Sequence, residues 1–150
     1  MIQRIQTLFL VVAFGLIISL FFIDIAHFNN GIVYNLSGFS SSIPRDYNTI
    51  NQLIWLQGGA IFSIILLVVI IFLFKNRKLQ MKLSLFGIVI LLLLNGLIYY
   101  ILTISESSLN ALVDFKSPIL FPIVASVLVF LAYWNIRKDD NLIKSLDRLR

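Results

Sequence analysis

Polar and apolar positions along the chain separate into blocks. Residues 8–23, 53–74, 83–104 and 118–136 carry no charged side chain and are almost wholly apolar. A helix of about 22 residues rises about 33 Å, against about 30 Å of bilayer hydrocarbon, so each block predicts a membrane span. The spans are set at about 5–25, 53–74, 83–104 and 118–136. Between the first two lies an outer loop, 26–52, in which the pattern changes period. Ile32, Tyr34 and Leu36 alternate with Val33, Asn35 and Ser37 after the turn-forming Asn29-Asn30-Gly31, which predicts a small β-hairpin. The second outer connection, 105–117, is shorter and polar, and Pro118 suits the first turn of span four. Residues 136–150 contain neither glycine nor proline, so span four is expected to run on as a helical tail over 137–150. Leu142, Leu146 and Leu149 then form one stripe, opposite a face where Asp140 pairs with Lys144 and Asp147 with Arg150.

Composition supports one membrane domain and no other. The chain has 150 residues, 59 % of them hydrophobic, and a mean hydropathy of +0.96. About half lies in spans, which leaves no stretch long enough for a separate soluble domain. With no cysteine and one histidine, His27, disulfides, thiolate sites and multi-histidine metal sites are not expected. Arg4 ahead of the first apolar run resembles the start of a secretory signal. Asp24-Ile25-Ala26 is a poor cleavage site, so a retained anchor is expected.

The net charge of +5 changes the picture only through where it falls. Lys75, Arg77, Lys78 and Lys82 crowd the turn between spans two and three, which the positive-inside rule assigns to the cytoplasm. Threading the chain accordingly puts Arg4, Arg137, Lys138, Lys144, Arg148 and Arg150 on the same side, and leaves Arg45 and Lys116 opposite. Both termini are then cytoplasmic. A charge that follows the membrane in this way forms no basic groove, and no nucleic-acid partner is expected.

Candidate chemistry is sparse. A small or polar residue marks the middle of each span, namely Gly15, Ser63, Asn95 and Ser126. An amide in hydrocarbon needs a partner, so Asn95 is expected to face inward, with Ser63 or Ser126 to receive it, either as packing or as a solute contact. Gly15/Ser19 and Gly59/Ser63 have small-xxx-small spacing, which permits close helix approach. Asp24 and His27 can share a proton if the first helix reaches that far. All seven carboxylates fall outside the hydrocarbon core, Asp24 standing at the outer end of span one, which argues against proton-coupled transport. Trp55, Tyr99, Tyr100, Tyr133 and Trp134 stand at interfacial depth as anchors. No catalytic, cofactor-binding or metal-binding constellation is recognisable, so an enzyme is not expected.

The two ends of the chain carry a resemblance. Met1-Ile-Gln-Arg-Ile-Gln-Thr7 and Ile136-Arg-Lys-Asp-Asp, with the closing Asp147-Arg-Leu-Arg150, resemble an uncharacterised family of small four-span inner-membrane proteins of Bacteroidetes-type bacteria. The resemblance implies a bacterial cytoplasmic membrane and no particular activity. The expectation is therefore an all-α membrane protein, a four-helix transmembrane bundle with a small extracytoplasmic hairpin and no cofactor. Its partners are the lipid bilayer and a membrane protein met through the hairpin or the tail, with Asp139, Leu142, Leu146, Asp147, Arg148, Leu149 and Arg150 as docking residues. An accessory or scaffold subunit fits best; a small oligomeric channel or carrier built on the midplane residues is the alternative.

Overall fold

A computed structural model describes residues 2–29, 31–39, 47–109 and 112–147. Four helices dominate: α1 (Ile2–Ser19), α2 (Tyr47–Phe72), α3 (Arg77–Leu109) and α4 (Phe121–Asp147). Short strands β1 (Ala26–Phe28), β2 (Val33–Asn35) and β3 (Gly38–Phe39) follow α1, and β4 (Val113–Phe115) follows α3.

The helices form a ring in which α1 packs on α2 and α4, and α3 packs on the same two. What they bury follows one spacing. Gln6, Leu10, Ala13, Ile17 and Leu20 on α1 and the turn after it advance in steps of four and three, as do Leu56, Ala60, Ser63, Leu67 and Ile70 on α2. The longest series, Gln80, Ser84, Gly87, Leu91, Leu94, Ile98, Ile101 and Ser105, runs along α3. Ala125, Val129, Ala132 and Ile136 continue the rule on α4. Such a repeat, near 3.5 residues, keeps one seam against neighbouring helices. Small residues take much of that seam. An added Cβ at Gly87 would stand 3.4 Å from Leu66 Cδ2 and 3.5 Å from Ile70 Cδ1, ordinary van der Waals contact, so α3 meets the side chains of α2 directly at this glycine. Gly59 faces Leu94 in the same contact, whereas nothing lies within 4 Å of a Cβ at Gly15 or Gly58.

The outward faces are as apolar as the seam. Segments Leu53–Phe72, Arg77–Ser107 and Ser117–Leu142 have mean hydropathies of 2.5, 2.5 and 2.1, yet only 33 % of the apolar 18-residue stretch in each is buried. An apolar exterior on that scale is a mark of lipid or partner contact rather than of a water-soluble monomer. These three helices are long and apolar enough to cross a membrane. The apolar part of α1, Ile5–Ser19, is shorter.

The helix is thus shorter than the segment 5–25 expected as the first span. The helix stops at Ser19, whose carbonyl accepts from the N–H groups of Phe22 and Ile23. Beyond it the backbone is claimed by the sheet: Leu36 N–H donates to Leu20 O, Ile25 N–H to Tyr34 O and Lys116 N–H to Ile25 O. Residues that hydropathy alone adds to a helix thus spend their backbone groups on strand partners.

The hairpin is present and larger than expected. The antiparallel order is β3-β2-β1-β4, with Ala26 opposite Tyr34 and Phe115, and His27 opposite Val33 and Asp114. A strand from the second connection, expected only as a polar loop, therefore closes the sheet. The hairpin loop has Gly31 at φ +77°, and Phe28 and Ile32 bracket it through a 2.8 Å bond from Phe28 N–H. A left-handed residue at the end of a three-residue loop is the usual device for this length, and glycine occupies it without a Cβ penalty. Ala26, Phe28, Tyr34 and Leu36 are buried. Burial also pushes the Tyr34 phenol above its ordinary range, because the anion would lose its hydration.

Candidate functional site

At the end of the helices away from the sheet, a cleft is lined by Gln6, Thr7, Phe74, Arg77, Gln80, Ile136 and Asp139. Four elements contribute to it: the first turns of α1, the tight turn after α2, the start of α3 and the late part of α4. Gln6 Nε2 donates to Asp139 Oδ2 at 2.8 Å, joining residues 133 apart in the chain. Gln80 Nε2 donates to Ile70 O at 3.0 Å. Ile70 is among the last four residues of α2, whose carbonyls lack the next helical turn, so the amide caps a helix end from its neighbour. Ser84 Oγ in turn donates to Gln80 O at 2.9 Å.

Both glutamines are more than nine-tenths buried, with exposures of 7 % and 6 %. Their partners fix which end of each amide carries the nitrogen, since a carboxylate and a carbonyl can only accept. The two amide oxygens consequently remain as acceptors, with no donor to them among the described residues. Arg77 brings a guanidinium that has no ion pair among the described residues. The cavity volume is about 20 Å³, room for one water-sized group.

Asp139, expected as a docking residue of the tail, is bonded to Gln6 of α1. Gln6 and Gln80 were missed. Their signal was phase: each is a polar residue set four positions before the buried seam residues Leu10 and Ser84. Leu142, further along α4, is 50 % exposed. Leu146 and Asp147 continue the helix, and Arg148, Leu149 and Arg150 lie outside the described residues.

The midplane residues do not bond to one another. Ser63 Oγ donates to Gly59 O at 2.8 Å and Ser126 Oγ to Ile123 O at 2.7 Å, each within its own helix. Both hydroxyl protons are thereby used, and Asn95 Oδ1 is buried with no hydrogen-bond partner. The expected amide–serine link is absent because a serine in a helix finds the carbonyl of the preceding turn before any other chain. At the sheet end, His27 Nε2 lies 3.5 Å from Asp24 Oδ2, both side chains being well exposed. The pair forms through the turn into β1 rather than along a helix. Among the described residues no group of three His, Cys, Asp or Glu side chains is placed to hold a metal ion.

No curated protein and no solved structure matches this chain. Residues 2–149 match the family model described as a domain of unknown function, DUF4293, and with nearly the whole chain covered the protein belongs to that family.

Proposed function

We propose that the protein is a multi-pass protein of the bacterial cytoplasmic membrane, a four-helix transmembrane bundle with both termini inside, serving as a non-enzymatic accessory or scaffold subunit. The observation that carries the scaffold role is the continuity of α4. Its 27 residues run unbroken from Phe121 to Asp147. At 1.5 Å per residue that is about 40 Å, some 10 Å more than the hydrocarbon needs. Leu142 is presented outward on the overhang. Asp139, bound by Gln6, braces its root against α1. A stiff, braced and partly apolar projection suits docking of another membrane protein.

Because Asp139 braces the helices, the informative truncation ends after Asp140. That variant is expected to remain folded and membrane-bound while losing the membrane proteins that co-purify with the full chain in mild detergent. An unchanged set of cross-linked partners counts against the scaffold role.

A channel or carrier is the second reading, favoured by the unpartnered Asn95 Oδ1. Buried acceptors without donors are uncommon and often sit where a water, ion or ligand binds. On this reading Asn95→Leu abolishes solute flux in reconstituted vesicles at unchanged protein yield. If Asn95 only packs, the leucine variant is at least as stable as the parent and moves no flux, since an unsatisfied polar atom has been removed.

A further inference from the structure

The cleft at the basic end has an unusual balance of groups. Two buried amides have given their N–H groups to Asp139 and Ile70 and keep their oxygens. Asp139 has its second carboxylate oxygen, Oδ1, to offer, since Gln6 is bonded to Oδ2. The three residues that keep these acceptors, one of them charged, all line a space of about 20 Å³. A primary ammonium, which is about as large as a water and has three N–H donors, matches that set in size, charge and donor number. Arg77 lines the same cleft, and a guanidinium is suited to a phosphate oxygen pair. Phe74, which lines the cleft, is 55 % exposed, so the site opens beside apolar surface.

We propose that this cleft binds the headgroup of phosphatidylethanolamine, its ammonium held by Asp139 and the amide oxygens of Gln6 and Gln80 and its phosphate held by Arg77. An ammonium and a phosphate joined by two carbons, on a molecule with acyl chains to lie along Phe74, meet all of these features at once. Phosphatidylglycerol offers the phosphate without the cation. Phosphatidylcholine offers both charges, but its trimethylammonium has no N–H and is too bulky for a water-sized space. The inference rests on the membrane reading above.

The test is native mass spectrometry of the full chain in mild detergent with an equimolar mixture of phosphatidylethanolamine, phosphatidylglycerol and phosphatidylcholine of matched acyl chains. Phosphatidylethanolamine is expected to be retained about tenfold over the other two, a difference of one decade in affinity. Asp139→Asn, which keeps an acceptor for Gln6, is expected to erase that preference, and Arg77→Gln to weaken phosphatidylethanolamine and phosphatidylglycerol together. A second series needs no variant: one, two and three N-methyl groups on phosphatidylethanolamine are expected to lower retention stepwise as donors disappear. Equal retention across that series overturns the proposal, as does a preference that survives Asp139→Asn. Soluble glycerophosphoethanolamine is expected not to displace the lipid, and displacement would overturn the assignment to a lipid. Alkaline carbonate extraction separates the two levels. Release of the protein defeats the membrane reading, whereas a protein that stays in the membrane but shows no lipid preference defeats the headgroup site alone.

Discussion

A single cysteine introduced at Asn141 is expected to resist a membrane-impermeant maleimide in intact cells, while one introduced at Asn29 is labelled. The parent has no cysteine, so either signal belongs to one position. Asn29 lies in the hairpin loop and Asn141 on the overhang of α4, both exposed and at opposite ends of the helices. Changing Lys75, Arg77, Lys78 and Lys82 together to glutamine is expected to give labelling of both positions, as a mixed population of two orientations. This is the largest effect anticipated for the chain, because the positive-inside bias is set by lysines and arginines close to the span ends and these four dominate one turn. Arg137 and Lys138 remain as a weaker signal for the original orientation, so mixing rather than full inversion is the expected outcome. Unchanged labelling after all four replacements would mean that some other feature orients the protein.

The second large effect lies at the brace between α1 and α4. Asp139→Ala is expected to lower stability by about 1.5 kcal/mol, at the lower end for a hydrogen bond to a charged group. The figure exceeds the average of about 0.6 kcal/mol for hydrogen bonds between membrane helices because the acceptor is a carboxylate. The loss has a specific origin. Gln6 is only 7 % exposed, and without Asp139 its amide N–H is left in a site where water reaches poorly. Gln6→Ala removes the donor instead and leaves Asp139, which is only partly buried, free to meet solvent. The Gln6→Ala/Asp139→Ala pair is then expected to be more stable than the sum of the single losses predicts, with a coupling of about 1 kcal/mol. Unfolding in mixed micelles of increasing denaturing detergent measures all four proteins. Additive losses would show that the 2.8 Å contact carries no energy of its own.

The three long helices were legible in the sequence because each is an uninterrupted apolar block. So was the hairpin, whose Asn-Gly turn and alternating residues announce it. The fourth strand was not, since Val113-Asp-Phe115 is too short to show alternation and becomes a strand only beside His27. The end of α1 was missed for a related reason. Hydropathy treats Leu20 to Ile25 as more of the same helix, and nothing local reveals that Leu36 and Lys116 will take their carbonyls. Within the cleft, Asp139 is visible in the sequence as a charge in the tail, but its partner lies 133 residues earlier.

Sequence alone determined three helices apolar and long enough for lipid, and a charge bias from which an orientation is proposed. Long runs without charge can satisfy their backbone only as helices in lipid, and a cluster of fixed positive charge biases one turn to one side. Both are local or additive properties, which a linear string contains in full. Tertiary structure decided which face of each helix is buried, where α1 gives way to the sheet, and which polar groups meet at the basic end. In spans that are apolar on every side, hydropathy contains no contrast between seam and surface, so the choice rests on side-chain size and on contacts between residues far apart in the chain. The cleft of Gln6, Gln80, Arg77 and Asp139 exists only once those contacts have formed.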